Sequence, residues 1–183
     1  MIFDLIDYLL GILKMIINKI FYFNKLHLPV IGKYSCTVQL RIFNQGSMIA
    51  GKKLLMRSGV KIRVNGNGKI IIGNRVGFNN DCMLNCMNKI KIGDNVIFGQ
   101  GVKIYDHDHN YHIEGIIRDN GYITKNINIK DNVWIGSNCV ILKGTNIGEN
   151  TVIGANTVIY GDIPANSVVY GDRNLIIKKG GYK

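Results

Sequence analysis

The stretch IKDNVWIGSNCVILKGTNIGENTVIGANTVIYGDI, residues 129–163, has an isoleucine at every sixth position as far as residue 159. Six residues make one short strand and one turn, so three such units close a triangular coil of about 18 residues. Successive coils stack as parallel strands, and stacking is needed because one coil cannot bury its own apolar face. The period therefore predicts a parallel β-helix. The side chains expected inside its prism are those of Ile129, Ile135, Ile141, Ile147, Ile153 and Ile159.

The same period continues towards the N-terminus. Ile72, Phe78, Leu84 and Ile90 are each six residues apart. After a slip of two residues, the same spacing separates Ile92, Phe98 and Ile104. A weaker spacing from residue 42 to residue 60 indicates that less regular coils begin near residue 30. We therefore expect an all-β domain over residues 29–173, with Cys82 and Cys139 as core side chains rather than nucleophiles.

One long excursion interrupts the repeat. The interval between Ile104 and Ile129 is not a multiple of six. The polar residues 105–128 are therefore expected to leave the coil as a loop. Long excursions from a regular scaffold commonly carry function.

The N-terminal segment, residues 1–28, has a different pattern. Polar residues and a glycine recur every three or four positions, which predicts a helix with a narrow polar stripe made by Asp4, Asp7, Gly11, Lys14 and Asn18. Two roles are open for this helix. It packs on the β-helix or on a sister subunit, or it lies on a membrane surface through residues 1–25, aided by basic side chains such as Lys19. Residues 174–183 are expected to form a basic tail.

The amino-acid composition limits the classes of partner that the protein is expected to bind. The formal net charge of +11 suits nucleic acid, an anionic membrane or a phosphorylated small molecule. The sequence has no helix-turn-helix, zinc-finger or RNA-reading motif, so we expect no nucleic acid partner. The four cysteines show no metal-ligand spacing, which favours reduced thiols and a cytoplasmic location, at the inner face of the membrane if the N-terminal helix binds there.

The C-terminal half resembles a known family. The segments NVWIGS at residues 132–137, IG at 147–148, IGA at 153–155 and DIPAN at 162–166, together with IYDHDHNY at 104–111, resemble the hexapeptide-repeat acyltransferases. Within that family they are similar to the branch of maltose and galactoside acetyltransferases and polysaccharide O-acetyltransferases. The resemblance covers about residues 65–173. It implies a left-handed β-helix, a homotrimer, acetyl-CoA as donor and a sugar hydroxyl as acceptor, in surface polysaccharide biosynthesis.

The transfer needs a base for the attacking hydroxyl, and a histidine is well matched to that task at neutral pH. The family motif assigns the base to His109, with His107 as runner-up. We expect these two side chains to point in different directions on an extended segment, and Asp106 or Asp108 to orient the imidazole. The resemblance also places Asn79 near the reacting centre. The expected acceptor residues are His107, Met87 and Tyr111, and Met87 stands where the sugar acetyltransferases have an acidic residue.

The donor residues follow from the resemblance in the same way. They are Trp134, Gly136, Ser137 and Ala155, with Arg173 for the nucleotide phosphates. The chain departs from the family pattern at residues 160–161, where Tyr-Gly replaces Thr-Lys.

Two other functions are compatible with the repeat. One is a zinc enzyme like the γ-class carbonic anhydrases, because His107, His109 and His112 could act as zinc ligands. That class, however, takes its ligands from separated coils. The other is a trimeric scaffold without activity. We expect no metal site.

Overall fold

The computed structural model describes residues 2–29 and 32–171, which form a parallel β-helix with one N-terminal helix. Its strands, numbered in chain order, form three parallel sheets, one on each side of a triangular prism. Sheet A contains β1 (Leu26–His27), β4 (Ser47–Ala50), β7 (Lys69–Ile72), β10 (Lys89–Ile92), β15 (Ile127–Ile129), β18 (Asn146–Ile147) and β21 (Asp162–Ile163). Sheet B contains β2 (Lys33–Tyr34), β5 (Leu55–Met56), β8 (Gly77–Phe78), β11 (Ile97–Phe98), β16 (Trp134–Ile135), β19 (Val152–Ile153) and β22 (Val168–Val169). Sheet C contains β3 (Gln39–Ile42), β6 (Lys61–Val64), β9 (Met83–Cys86), β12 (Lys103–Tyr105), β17 (Val140–Ile141) and β20 (Val158–Ile159).

The chain visits the sheets in the order A, B, C, so each of the first six coils contributes one strand to each sheet. Ile135 pairs with Ile153 in sheet B, and Ile129 pairs with Ile147 in sheet A. The six isoleucines at the repeat positions from Ile129 to Ile159 are buried. The prediction of a hexapeptide β-helix is confirmed, and its roughly six turns are consistent with the left-handed form that the resemblance implies.

The N-terminal coils are longer than the repeat predicts. Met48 pairs with Ile70 in sheet A, whereas later in the same sheet Ile129 pairs with Ile147, so the early pair encloses more of the chain than the late one. In the longer coils the strands β3, β6, β7, β9 and β10 have four residues each and turn two side chains inward. Ile90 and Ile92 are both in β10, and both are buried. The slip of two residues in the sequence is therefore one strand with two core positions.

Small side chains fill the corners of the prism. Thr145, Thr151 and Thr157 are buried, and the hydroxyl of each donates to a backbone carbonyl of the same or the next coil. Cys82 and Cys139 are also buried. Burial raises the pKa of the Cys82 thiol to about 11, so at neutral pH it is a neutral packing group.

Helix α1 (Ile2–Phe21) closes the N-terminal end of the prism. It ends earlier than the predicted residue 28, because β1 already belongs to the first coil. Its polar stripe faces the protein: the Asp7 carboxylate accepts from the Ser35 hydroxyl and the Cys36 amide, and Lys14 donates to the Cys36 carbonyl at 2.7 Å. Gly11 lies so close to the first coil that a Cβ atom there would meet the Tyr34 carbonyl oxygen at 1.7 Å.

The wide apolar face of α1 points away from the prism. In the part of the chain that the structure describes, no helix has the length and apolarity needed to cross a bilayer. The exposed apolar side chains of this face are Leu5, Ile6, Leu9, Leu10, Leu13, Ile16, Ile17, Ile20 and Phe21.

The long excursion is a β-hairpin. It leaves the coil after β12 and returns at β15, and it contains β13 (His107–His109), a 3₁₀ turn (Ile117–Asp119) and β14 (Tyr122–Thr124), with β13 and β14 antiparallel. Its neck is closed where the Lys125 amide donates to the Asp106 carbonyl at 2.9 Å. The expected loop at residues 105–128 is therefore an ordered excursion over residues 106–126.

Candidate active site

Asp106, at the base of the hairpin, is the best anchored polar group of the site. Its side chain is fully buried, at 0% exposure. The carboxylate accepts from the backbone amides of Met87 and Asn88, each at 2.8 Å, and bonds to Nδ1 of His107 at 2.9 Å. Asp106 therefore joins the hairpin to the turn that follows β9.

These bonds fix the ionisation state of Asp106. Burial acts to raise the pKa of the carboxyl, but the hydrogen bonds from His107, Asn88 and Met87 outweigh it, so the pKa lies below its ordinary value. A carboxylate can only accept, so Nδ1 of His107 carries the hydrogen. In the neutral ring Nε2 is then the acceptor nitrogen.

Two histidines lie on the same side of β13. The ring of His107 meets Tyr122 edge-on with centroids 5.4 Å apart, and the ring of His109 lies 4.7 Å from Tyr122. Asp108 pairs instead with Lys143 of the coil. The expectation that His107 and His109 point in different directions is wrong, because residues two apart on a strand share a face. The aspartate that orients an imidazole is Asp106, and it holds His107 rather than His109.

His109 itself is exposed at the outer end of β13. Within the described residues neither ring nitrogen has a hydrogen-bond partner, so both are available to a substrate. Tyr111 and His112 lie further out on the hairpin and are exposed as well, with their rings 4.2 Å apart.

A cavity of about 480 Å³ lies beside His107, where sheet C turns into sheet A. His107 and Met87, both predicted to contact the acceptor, line it together, while the third such residue, Tyr111, lies outside. The sequence did not indicate Arg63, which also lines this cavity. The only signal was a basic residue at an outward strand position. The lining residues are Asn44, Arg63, Asn65, Gly66, Asn85, Met87, His107 and Tyr122.

The predicted donor residues share a different edge, where sheet B turns into sheet C. Gly136 and Ser137 follow β16, and Ala155 follows β19 directly below. A Cβ atom on Gly136 would meet the Ala155 amide nitrogen at 2.5 Å, so two coils touch here and only glycine fits. Trp134 points outward from the same strand and is 55% exposed.

Asn79 also lies on this B–C edge, in the turn after β8. The Asn80 amide donates to Oδ1 of Asn79 at 3.0 Å, as is usual for an asparagine in a turn. This bond uses Oδ1 and does not involve the Nδ2 donor. His107 and His109 are on the C–A edge, at the other side of sheet C. A single chain therefore does not bring Asn79 and His109 together.

Two further predictions concern Arg173 and the metal site. Arg173 lies outside the described residues. Across residues 2–29 and 32–171, no three His, Cys, Asp or Glu side chains converge as a metal-ligand set. Each hairpin histidine has its own neighbour: His107 bonds to Asp106, His109 lies against Tyr122, and His112 lies against Tyr111.

A family model and two solved structures with TM-scores above 0.5 agree with this architecture. Residues 126–161 match the family model of the bacterial transferase hexapeptide, six repeats. A galactoside acetyltransferase solved with coenzyme A aligns over 67% of this chain and 60% of its own, at 31% identity and a TM-score of 0.52. A hexapeptide-repeat-containing acetyltransferase of Vibrio cholerae O1 biovar eltor, solved with acetyl coenzyme A, aligns over the same shares, at 29% identity and a TM-score of 0.42. This chain thus spans 60% of the length of each of these two proteins. The N-acyltransferase AntD from Bacillus cereus, solved with dTDP and 3-hydroxybutyryl-CoA, shares the fold over 77% of both chains, at 18% identity and a TM-score of 0.60.

Proposed function

We propose that this chain, whose residues 126–161 match the bacterial transferase hexapeptide family, is an acetyl-CoA-dependent O-acetyltransferase acting on a sugar. The observation that carries the proposal is the hairpin strand β13, which places His107 in the lining of a polar cavity and His109 on the same face, against Tyr122. The likeness to the galactoside acetyltransferase solved with coenzyme A supports the choice of donor. The acceptor belongs, in this proposal, to surface polysaccharide biosynthesis.

The mechanism assigns one task to each group. His109 takes the proton of the sugar hydroxyl as its oxygen attacks the thioester carbonyl carbon of acetyl-CoA. Nδ2 of Asn79 donates a hydrogen bond to the oxygen that becomes negative in the tetrahedral intermediate. The C–S bond then breaks, and the departing thiolate takes the proton from His109 to give the CoA thiol and the acetylated sugar. His107, held by Asp106, accepts a hydrogen bond from the sugar and positions it.

Thiol release tests this function directly. Purified protein with acetyl-CoA and a panel of sugar acceptors is expected to release the CoA thiol only when an acceptor is present. A scaffold without activity would release none with any acceptor, although it would still have the β-helix.

We also propose that the active unit is a homotrimer in which each site combines two chains. Support comes from the position of Asn79 and His109 on different edges of the prism, so that a neighbour must supply one of them. Further support comes from apolar side chains exposed on the hairpin, which a neighbouring chain would cover. They are Tyr111, Ile113, Ile116 and Ile117.

Sedimentation is expected to give three times the chain mass of 20.5 kDa at micromolar concentration. Co-expression supplies a sharper test. His109→Ala and Asn79→Ala chains, each inactive alone, should regain roughly a quarter of the wild-type activity when mixed in one trimer, because some sites then receive both intact residues from different chains. A monomeric mass, or no complementation, would contradict the shared site.

A further proposal is that α1 holds the protein on the cytoplasmic face of an anionic membrane. The polar stripe of α1 is engaged by the prism, so the apolar face is left outward, with Lys19 beside it in the last turn. An apolar face bordered by basic residues is typical of a helix that lies in a membrane interface.

Ile17→Glu combined with Ile20→Glu tests membrane contact better than deletion of α1, because deletion would uncover the first coil, where Tyr34 is buried against the helix. Wild-type protein is expected to co-sediment with phosphatidylglycerol vesicles and much less with phosphatidylcholine vesicles. The variant should bind at least about tenfold more weakly, since two apolar contacts are lost and two negative charges are added. Val158→Glu with Val168→Glu, at the opposite end of the prism, is the matched control. Equal binding by both variants would contradict the proposal.

A further inference from the structure

Three basic side chains form a ladder on the outer face of sheet C. Arg41 in β3 is the direct partner of Arg63 in β6, and Lys61 is the partner of Gln39 two residues earlier. Arg41, Lys61 and Arg63 are all exposed, and we refer to them as the basic ladder. A cavity of about 240 Å³ lies along the ladder, and Gln39, Ile62, Met83 and Asn85 complete its lining.

The ladder is unfavourable for the fold by itself. Like charges on directly opposed strand residues destabilise a sheet. None of the outward-facing residues in the strands of sheet C is acidic, and in the described part of the chain no ion pair involves the ladder. The guanidinium of Arg63 lies over the Phe43 ring at 6.0 Å, which orients it without neutralising it. A concave site with three cations and no counter-charge suits an anionic ligand.

We propose that the basic ladder binds the diphosphate of a sugar-diphosphate acceptor. Arginine suits this ligand because its planar guanidinium forms paired hydrogen bonds with phosphate oxygens. Three cations match the charge of a diphosphate better than that of a single phosphomonoester. This inference rests on the proposed acetyltransferase function and names the class of its acceptor.

The position of the ladder supports an acceptor rather than an independent ion site. Arg63 and Asn85 line both the ladder cavity and the cavity beside His107. Two strand spacings, about 10 Å, separate β6 from β12, after which His107 follows. A diphosphate on the ladder would therefore leave the attached sugar ring in the His107 cavity.

The donor also carries a diphosphate, so the alternative occupant is coenzyme A. The predicted donor residues lie on another edge of the same chain and on later coils, after β16 and β19. In this proposal coenzyme A and the acceptor diphosphate therefore bind at separate places on each chain.

Calorimetric titration with inorganic pyrophosphate tests the site without any need for activity. Wild-type protein is expected to bind pyrophosphate more tightly than inorganic phosphate. Arg41→Gln with Arg63→Gln should weaken pyrophosphate binding by at least about tenfold, because two charge-assisted contacts are lost. Lys69→Gln with Lys89→Gln is the matched control: these residues are direct partners on sheet A, and the same charge is removed. Equal weakening by both pairs, or competition between pyrophosphate and coenzyme A for one site, would overturn the proposal.

Two probes distinguish the source of the diphosphate. Uridine diphosphate represents a nucleotide-linked acceptor, and a short prenyl diphosphate represents a lipid-linked one. At least one should bind more tightly than pyrophosphate and lose that binding in the Arg41→Gln, Arg63→Gln protein. If neither binds better than inorganic phosphate, the ladder has no such ligand.

The kinetic assay separates this inference from the function on which it rests. In active enzyme, the arginine pair of substitutions should raise KM for a phosphorylated acceptor by at least about tenfold and change KM for a free sugar little. Activity that is confined to free sugars and unaffected by the substitutions would refute the ladder while the acetyltransferase function stands. Pyrophosphate binding without thiol release from any acceptor would refute the function alone.

Discussion

His109→Ala is expected to lower the turnover of acceptor-dependent thiol release by about 10² to 10⁴, the usual contribution of a general base. Without the imidazole, the sugar hydroxyl would have to attack the thioester with its proton still attached. The affinity for acetyl-CoA should change little, because the predicted donor residues lie on the other edge of sheet C. Steady-state turnover and a separate coenzyme A titration measure the two effects, with circular dichroism as the check on the fold.

His107→Ala is the informative comparison, because both rings lie against Tyr122 on one side of β13. In the mechanism proposed above His107 holds the sugar, so its loss should raise KM for the acceptor more than it lowers turnover. His112→Ala, further out on the hairpin, is the matched control and should behave as wild type. A large fall in turnover for His107→Ala with near-normal His109→Ala would exchange the two assignments. Normal turnover in both variants would contradict a histidine mechanism.

Asp106→Ala is expected to reduce the free energy of unfolding by about 2–6 kcal/mol, because each of the two buried amides that it leaves without an acceptor costs about 1–3 kcal/mol. The substitution leaves the buried amides of Met87 and Asn88 without an acceptor and releases Nδ1 of His107. Urea denaturation measures the loss. Asp108→Ala, two residues along, is the control and should cost about 1 kcal/mol or less, because its pair with Lys143 is partly exposed. Equal costs for the two variants would show that the buried network adds no special stability.

The same carboxylate predicts a dependence on pH. The pKa of Asp106 is lower in the folded protein than the ordinary 3.8, so protons bind more readily to the unfolded chain. The contribution of Asp106 to stability is therefore complete above the ordinary value and is lost as the pH falls through the folded pKa. Asp106→Asn should lack this part of the acid dependence. An unchanged difference in stability between wild type and Asp106→Asn across that range would contradict the assignment.

The fold was predictable because a period of six is written directly in the positions of the isoleucines. The length of the N-terminal coils was not predictable in this way. A four-residue strand has a second inward position, as Ile90 and Ile92 show. When the repeat is assumed to be six residues throughout, this extra position looks like a break in the spacing. The end of α1 was missed because the apolar residues after Phe21 continue the helical pattern, although residues 22–25 form a turn and Leu26 already belongs to the first coil.

The candidate site was only partly predictable for similar reasons. The motif identified the histidines, but their common face depends on the pairing of β13 with β14 across a long connection, which no local pattern encodes. The burial of Asp106 depends on two amides of the preceding coil, 18 and 19 residues earlier in the chain. Arg63 belongs to the irregular coils, where a repeat-based alignment has no reliable register.

The closed neck of the hairpin has an evolutionary consequence. Because the excursion leaves and re-enters the coil at one point, where Lys125 bonds to Asp106, β12 and β15 keep their places in the stack whatever the excursion contains. The hairpin can be lengthened, shortened or exchanged between relatives as a single genetic insertion without shifting the register of any coil. In the mechanism proposed above, a change in the hairpin would therefore alter the acceptor site without altering the packing of the coils.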